Sequence, residues 1–89
     1  MSENELIRIT NREWVGQSDE EHLEFLQNGT IQTQQVGQRS VQAIIVYKNK
    51  YKEVSPPRED VQDVISYAKR QRDHLIELLE KDLKEAKSA

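Results

Sequence analysis

No cysteine occurs in the 89-residue chain, which removes disulfides, thiol nucleophiles, zinc ribbons and iron–sulfur ligation together. Glycine is almost as scarce: Gly16, Gly29 and Gly37 stand apart, so no glycine-rich loop can cradle a phosphate. The two prolines, Pro56 and Pro57, are adjacent and punctuate the chain once. His22 and His74 are the only histidines, and neither offers a general base to Ser18, Ser40, Ser55, Ser66 or Ser88. Paired with Glu21 or Glu24, His22 makes at most a weak metal site, and the HExxH, CxxC and EF-hand spacings are missing. An enzyme is not expected, nor a cofactor, a metal or a small-molecule substrate.

No apolar run approaches the roughly 18 residues of a membrane span. The N-terminus, Met1, Ser2, Glu3, Asn4 and Glu5, is acidic where a signal peptide is basic and then apolar. The expectation is a cytoplasmic protein with no membrane partner, in which Asn28-Gly29-Thr30 is a helix end and not a glycosylation site. Charged residues make up 33% of the chain and hydrophobic residues 35%, enough for one core, and residues 1–89 read as a single domain. The net charge of −3 is unevenly spread: residues 1–30 carry −5, residues 31–58 carry +4 and the remainder −2. Such a field is dipolar.

The fold class predicted is α+β, a small antiparallel sheet of three to four strands with one short helix and a long C-terminal amphipathic helix. A strand is expected near 5–10, from Leu6, Ile7 and Ile9. Ser18-Asp19-Glu20-Glu21 has the Ser-x-x-Glu form of a capping box, and the helix it opens should end at Asn28-Gly29. Ile31–Val36 reads as a weak, glutamine-rich edge strand. Val41–Tyr47 is the strongest strand, with Val41, Ala43, Ile45 and Tyr47 on one face and Ile44 and Val46 on the other. A tight turn at Lys48-Asn49-Lys50 returns the chain along Tyr51–Val54. Ser55-Pro56-Pro57 then ends the strand and hairpin part, about 1–56, and starts a helix over about 57–87 that is longer than a compact domain is wide.

This order contains helix, three strands, helix, and in that respect resembles a double-stranded-RNA-binding domain. The resemblance covers only the order. Where that family opens its last helix with a basic motif, this chain has Arg58-Glu59-Asp60-Val61-Gln62-Asp63, which is wrongly charged to hold phosphates.

Two apolar groups divide the last helix. Val61, Val64, Ile65 and Ala68 make a stripe suited to the sheet, while Leu75, Ile76, Leu78, Leu79 and Leu83 follow a polar interruption at 69–74. The second group either completes the core or pairs with another helix, in a homodimer or on a protein partner. The preferred expectation is association through Leu75, Leu78, Leu79 and Leu83, with Asp19, Glu20, Glu21 and Glu24 as a second contact. The protein would then be a non-enzymatic regulator or inhibitor of a larger cytoplasmic protein, of the kind found among bacterial and bacteriophage accessory factors. The alternative is nucleic-acid binding by Tyr47, Lys48, Lys50, Tyr51 and Lys52, extended by Lys69, Arg70 and Arg72. Lysines that guard an edge strand would give the same pattern.

Overall fold

The computed structural model describes residues 6–88. Its elements are β1 (Ile7–Arg8), α1 (Asn11–Val15), α2 (Asp19–Asn28), β2 (Thr30–Gln35), β3 (Val41–Tyr47), β4 (Lys50–Glu53) and α3 (Val61–Ser88). The strands form one four-stranded sheet in the order β1-β4-β3-β2. The fold is α+β, with β3 central as its apolar alternation requires. Among the described residues, no helix is long and apolar enough to cross a membrane.

Three strands pair antiparallel, with Ile31 opposite Ile45 and Val46 opposite Tyr51. The first strand departs from the antiparallel expectation. It lies parallel to β4, with Ile7 beside Lys50 and the Ile9 N–H donating to the Tyr51 carbonyl at 2.9 Å. The sheet is therefore mixed: β1 occupies the edge beyond β4, and the chain passes through both short helices before it returns to the sheet as β2. The strand expected from residue 5 covers only Ile7–Arg8, and Glu5 lies outside the described residues.

Both hairpin-turn residues, Lys48 (φ 51°) and Asn49 (φ 65°), have positive φ, the backbone of a two-residue turn matched to strand twist. Ser18 and Glu21 form the expected capping box on α2. A second box was not anticipated: Thr10 accepts from the Glu13 N–H while Glu13 reaches back to the Thr10 N–H, and together they open α1. Trp14 and Val15 are thus helical.

All helices pack on the face of the sheet that carries Ile31, Ala43, Ile45 and Val54. Ile9, Phe25, Leu26 and Ile45 form one buried cluster, and Ala43, Val64 and Ala68 another. Complete burial of a side chain such as Leu26 or Ile45 contributes about 1.5–3 kcal/mol. Ile44 points to the opposite face, between Glu53 and Gln32 in register, yet is only 3% exposed.

The last helix starts at Val61, four residues later than the prolines suggested. Arg58 is still extended, exchanging both backbone hydrogen bonds with Val41 (2.7 and 2.9 Å), and the Asp60 carboxylate then accepts from the Gln62 N–H at 2.9 Å. From there α3 is continuous for 28 residues, about 42 Å at 1.5 Å per residue. The polar segment 69–74 does not break it, because one flank can stay wet while Ala68, Leu75 and Leu79 keep the other on the core. The principal extents are 50 × 31 × 21 Å, and the radius of gyration of 14.3 Å exceeds the roughly 12 Å of a compact chain this long.

Candidate functional site

Between α1, β4 and α3 the surface opens into a groove of about 370 Å³ lined by Trp14, Leu26, Val54, Pro56, Tyr67 and Leu75, with Lys52, Glu53, Ser55 and Gln71 supplying polar atoms. Each wall has a local cause. The Thr10–Glu13 capping box sets α1 and so the position of Trp14, whose ring stacks on His22 (centroids 4.4 Å) and meets Phe25 edge-on (5.5 Å). His22 Nε2–H also donates to the Trp14 carbonyl. His22 is therefore a half-buried anchor for that wall.

The Pro56 wall is fixed by Ser55, 8% exposed, whose Oγ accepts from the Ala43 N–H at 2.9 Å and donates to the Pro56 carbonyl at 3.1 Å. Gln42 Nε2 donates to the Ser55 carbonyl at 2.9 Å, holding the same corner from the other strand. Along α3, Tyr67, Gln71, Leu75 and Leu78 fall at spacings of four, four and three, which aligns them on one flank. Leu78, 46% exposed, continues the groove beyond its enclosed part. The Arg58 guanidinium sits 5.9 Å from the Tyr67 ring centroid and 3.5 Å from Asp63. At the β4 rim, Lys52 Nζ donates to Asn11 at 3.1 Å, and Arg8 donates twice to one Glu53 oxygen at 2.7 and 3.0 Å.

No protein-family model, curated protein or solved structure matches the chain. The groove has the concave, largely apolar character of a docking site with a few oriented polar groups. Among the described residues, no three of the groups His, Cys, Asp and Glu converge as they would around a metal ion.

The structure separates the terminal leucines. Leu75, Ile76 and Leu79 pack against the Ile9, Phe25, Leu26 and Ile45 cluster, Leu83 is half-buried, and Leu78 is the exposed one. The acidic set is also divided. Glu21 is engaged in the Ser18 cap, and Glu24 accepts from the Tyr47 hydroxyl at 2.7 Å and lies 3.6 Å from Lys48. Asp19 and Glu20 remain on the exposed first turn of α2. The Glu24 carboxylate, by accepting the phenolic hydrogen, pushes the Tyr47 pKa up. Tyr47 and then Glu24 do the same to the Lys48 ammonium.

The basic set does not share one face. Lys50 and Lys52 are in register with Tyr47 and Ile45 on the helix-bearing face, whereas Tyr51 pairs with Val46 on the other. Lys48, Lys50 and Tyr47 instead border a second depression of about 270 Å³ with Glu21, Glu24 and Gln17, where acids and bases offset each other. Lys69 and Arg70 are exposed on α3, and Arg72 Nε donates to Asp73 at 3.2 Å.

Sequence reasoning overlooked Trp14, Pro56 and Tyr67. The Thr-x-x-Glu spelling of residues 10–13 was the available signal for α1 and hence for Trp14. The continuation of the Leu75–Leu78 flank back to Gln71 and Tyr67 was the signal on α3.

Proposed function

We propose that this protein is a non-enzymatic, cytoplasmic regulator or inhibitor that binds a larger protein, receiving an apolar segment of that partner in the groove between α1, β4 and α3. The observation that carries this reading is the flank of Tyr67, Gln71 and Leu75 facing Trp14 and Pro56 across an open groove and ending in exposed Leu78. Aromatic side chains that are already immobilised favour binding, because little side-chain freedom is lost when a partner arrives. His22 and Phe25 hold Trp14, and Arg58 covers one side of Tyr67. Lys52 and Arg58 on the rim favour a segment flanked by acids. The docking residues are then Leu75 and Leu78 together with Trp14 and Tyr67, while Leu79 supports α3 from beneath.

A photo-crosslinking residue introduced at Leu78 and irradiated in the source cells tests this. One protein adduct is expected, and it should disappear when Gln71→Trp fills the groove, with the melting temperature unchanged. Adducts identical with and without the groove-filling change would refute the reading. For the nucleic-acid alternative, the division of Tyr47 and Tyr51 between faces and the pairing of Lys48 with Glu24 weigh against a continuous basic, aromatic surface.

A further inference from the structure

We infer that β2 is the dimerisation edge of the molecule, pairing antiparallel with β2 of a second copy about a two-fold axis at Thr33. This strand ends the sheet order, and among the described residues its outer edge faces no other strand. Which backbone groups it presents follows from the hairpin. The Val36 N–H donates inward to the Ser40 carbonyl, and inward groups alternate along an antiparallel strand, so Gln34, Gln32 and Thr30 also bond to β3. The same alternation on β3 agrees, since the Ala43 carbonyl accepts from Val54 on the β4 side. Ile31, Thr33 and Gln35 therefore turn their N–H and C=O groups outward.

An extended strand is the occupant that satisfies such a row, and the chemistry of β2 selects its own copy. With Thr33 facing Thr33 of the second copy, Ile31 meets Gln35 and Gln35 meets Ile31, so every outward group on both strands is used. On the other face Gln32 meets Gln34, and Thr30 meets Val36, which is 43% exposed. Threonine pairs are favourable across strands, and glutamine amides stacked beside one another add hydrogen bonds. Because Thr30–Gln35 contains no charged residue, the symmetry places no like charges opposite each other. The usual devices against edge pairing, namely charge, proline or a very short strand, are missing from β2, whereas β1 at the other edge has only two residues and carries Arg8.

The helix layer agrees with this interface. Thr33 lies opposite Ala43, which is beneath Val64 and Ala68, so the axis passes beside that turn of α3. Tyr67 and Gln71 occupy the groove flank of α3, and helical spacing puts Val61 and Ile65 on the other flank, toward β2. Val61 is 42% exposed there. Adjacent strands are about 4.8 Å apart, so helices that each lie over β2 and β3 would come together at roughly 10 Å, the distance of packed helices. Dimerisation would thus cover Val36, Val61 and Ile65 together.

The test is absolute mass in solution as a function of concentration, for the full chain and for Thr33→Pro and Thr33→Lys. Thr33 is exposed and its N–H points outward, so neither change removes a bond of the β2–β3 ladder. The unaltered chain should reach twice its 10.4 kDa mass, and both variants should remain at the single-chain mass with unchanged circular dichroism. Leu78→Asp should dimerise as the unaltered chain does, which separates this interface from the docking groove. A chain that stays monomeric at millimolar concentration would overturn the inference, and so would a folded Thr33→Lys variant that dimerises normally.

Discussion

Replacing Gly29 with alanine tests how α2 is joined to the sheet. Gly29 has φ −73° and ψ 159°, extended backbone open to any residue, so a left-handed helix end is not what requires glycine here. Space requires it. A methyl group on its Cα would stand 2.4 Å from Ile45 Cγ2, 2.7 Å from the Phe25 carbonyl oxygen and 3.2 Å from the Val46 carbonyl oxygen. Carbon contacts normally settle near 3.5–4.0 Å, and Ile45 is 0% exposed at the centre of the core. The Phe25 carbonyl also accepts the Gly29 N–H at 2.9 Å, so retreat from the methyl stretches that bond. Overpacking costs about 1–3 kcal/mol and a weakened hydrogen bond about 0.5–1.5 kcal/mol, so the expected loss is about 2–4 kcal/mol. A chain of this length is stable by roughly 4–13 kcal/mol in total. Urea unfolding followed by Trp14 fluorescence and by circular dichroism gives the value, with Gly37→Ala as control. At Gly37 the nearest atoms to the new methyl lie 3.7 and 3.8 Å away on Ser40, and φ is not positive. The control should be neutral or gain up to about 1 kcal/mol. Equal shifts in the two variants would refute close packing as the reason for glycine at position 29.

Leu79→Ala should cost about 2–3 kcal/mol because Leu79 packs on the core, whereas Leu78→Ala, at a side chain 46% exposed, should cost less than about 1 kcal/mol. The same urea assay measures both, and equal losses would contradict the docking of α3 on α2. The Glu13 and Glu21 carboxyls are held below the ordinary glutamate range, chiefly by hydrogen bonds from the backbone N–H of Thr10 and of Ser18. Since the folded value is the lower one, their contribution is complete above the unfolded value of about 4.3 and is lost as pH falls through the folded values. Unfolding midpoints should therefore drop below about pH 4.5. The double change Glu13→Gln and Glu21→Gln, which retains the capping geometry, should flatten that acid limb. A limb of unchanged slope would assign acid sensitivity to other groups.

Local rules made most of the fold legible. The alternation of Val41–Tyr47 identified the central strand and its two faces, the Ser18–Glu21 box identified the start of α2, and Lys48-Asn49 identified the turn. What escaped were features settled by partners distant in sequence. The start of α3 is delayed by Val41, which holds Arg58 in a bridge that the Pro56-Pro57 signal does not encode. The parallel entry of β1 depends on β4, more than forty residues later. For the candidate site, the apolar group from Leu75 to Leu83 was visible as a group, but its division was not. Leu75 and Leu79 meet Leu26 and its neighbours only because α2 packs against α3, and periodicity cannot say what a helix packs against. Within Lys48–Lys52 the register puts Lys50 and Lys52 on one face and Tyr51 on the other, a division that charge density along a strand does not display.

The two proposed surfaces lie on opposite flanks of α3, with Tyr67, Gln71 and Leu78 on one and Val61 and Ile65 on the other, so they can be occupied together. A dimer paired through β2 would extend the sheet to eight strands and carry two symmetry-related grooves directed away from the shared axis. For a symmetric or repetitive partner, binding at the first groove makes binding at the second effectively intramolecular, at millimolar effective concentration when the spacing fits. Avidity can then exceed the single-site affinity by roughly 10²–10⁴-fold with no added contact. That gain matters most for a shallow site. An open groove of about 370 Å³ on a small domain can bury only part of a partner, so pairing through β2 would let such a groove act as a regulator at cellular concentrations.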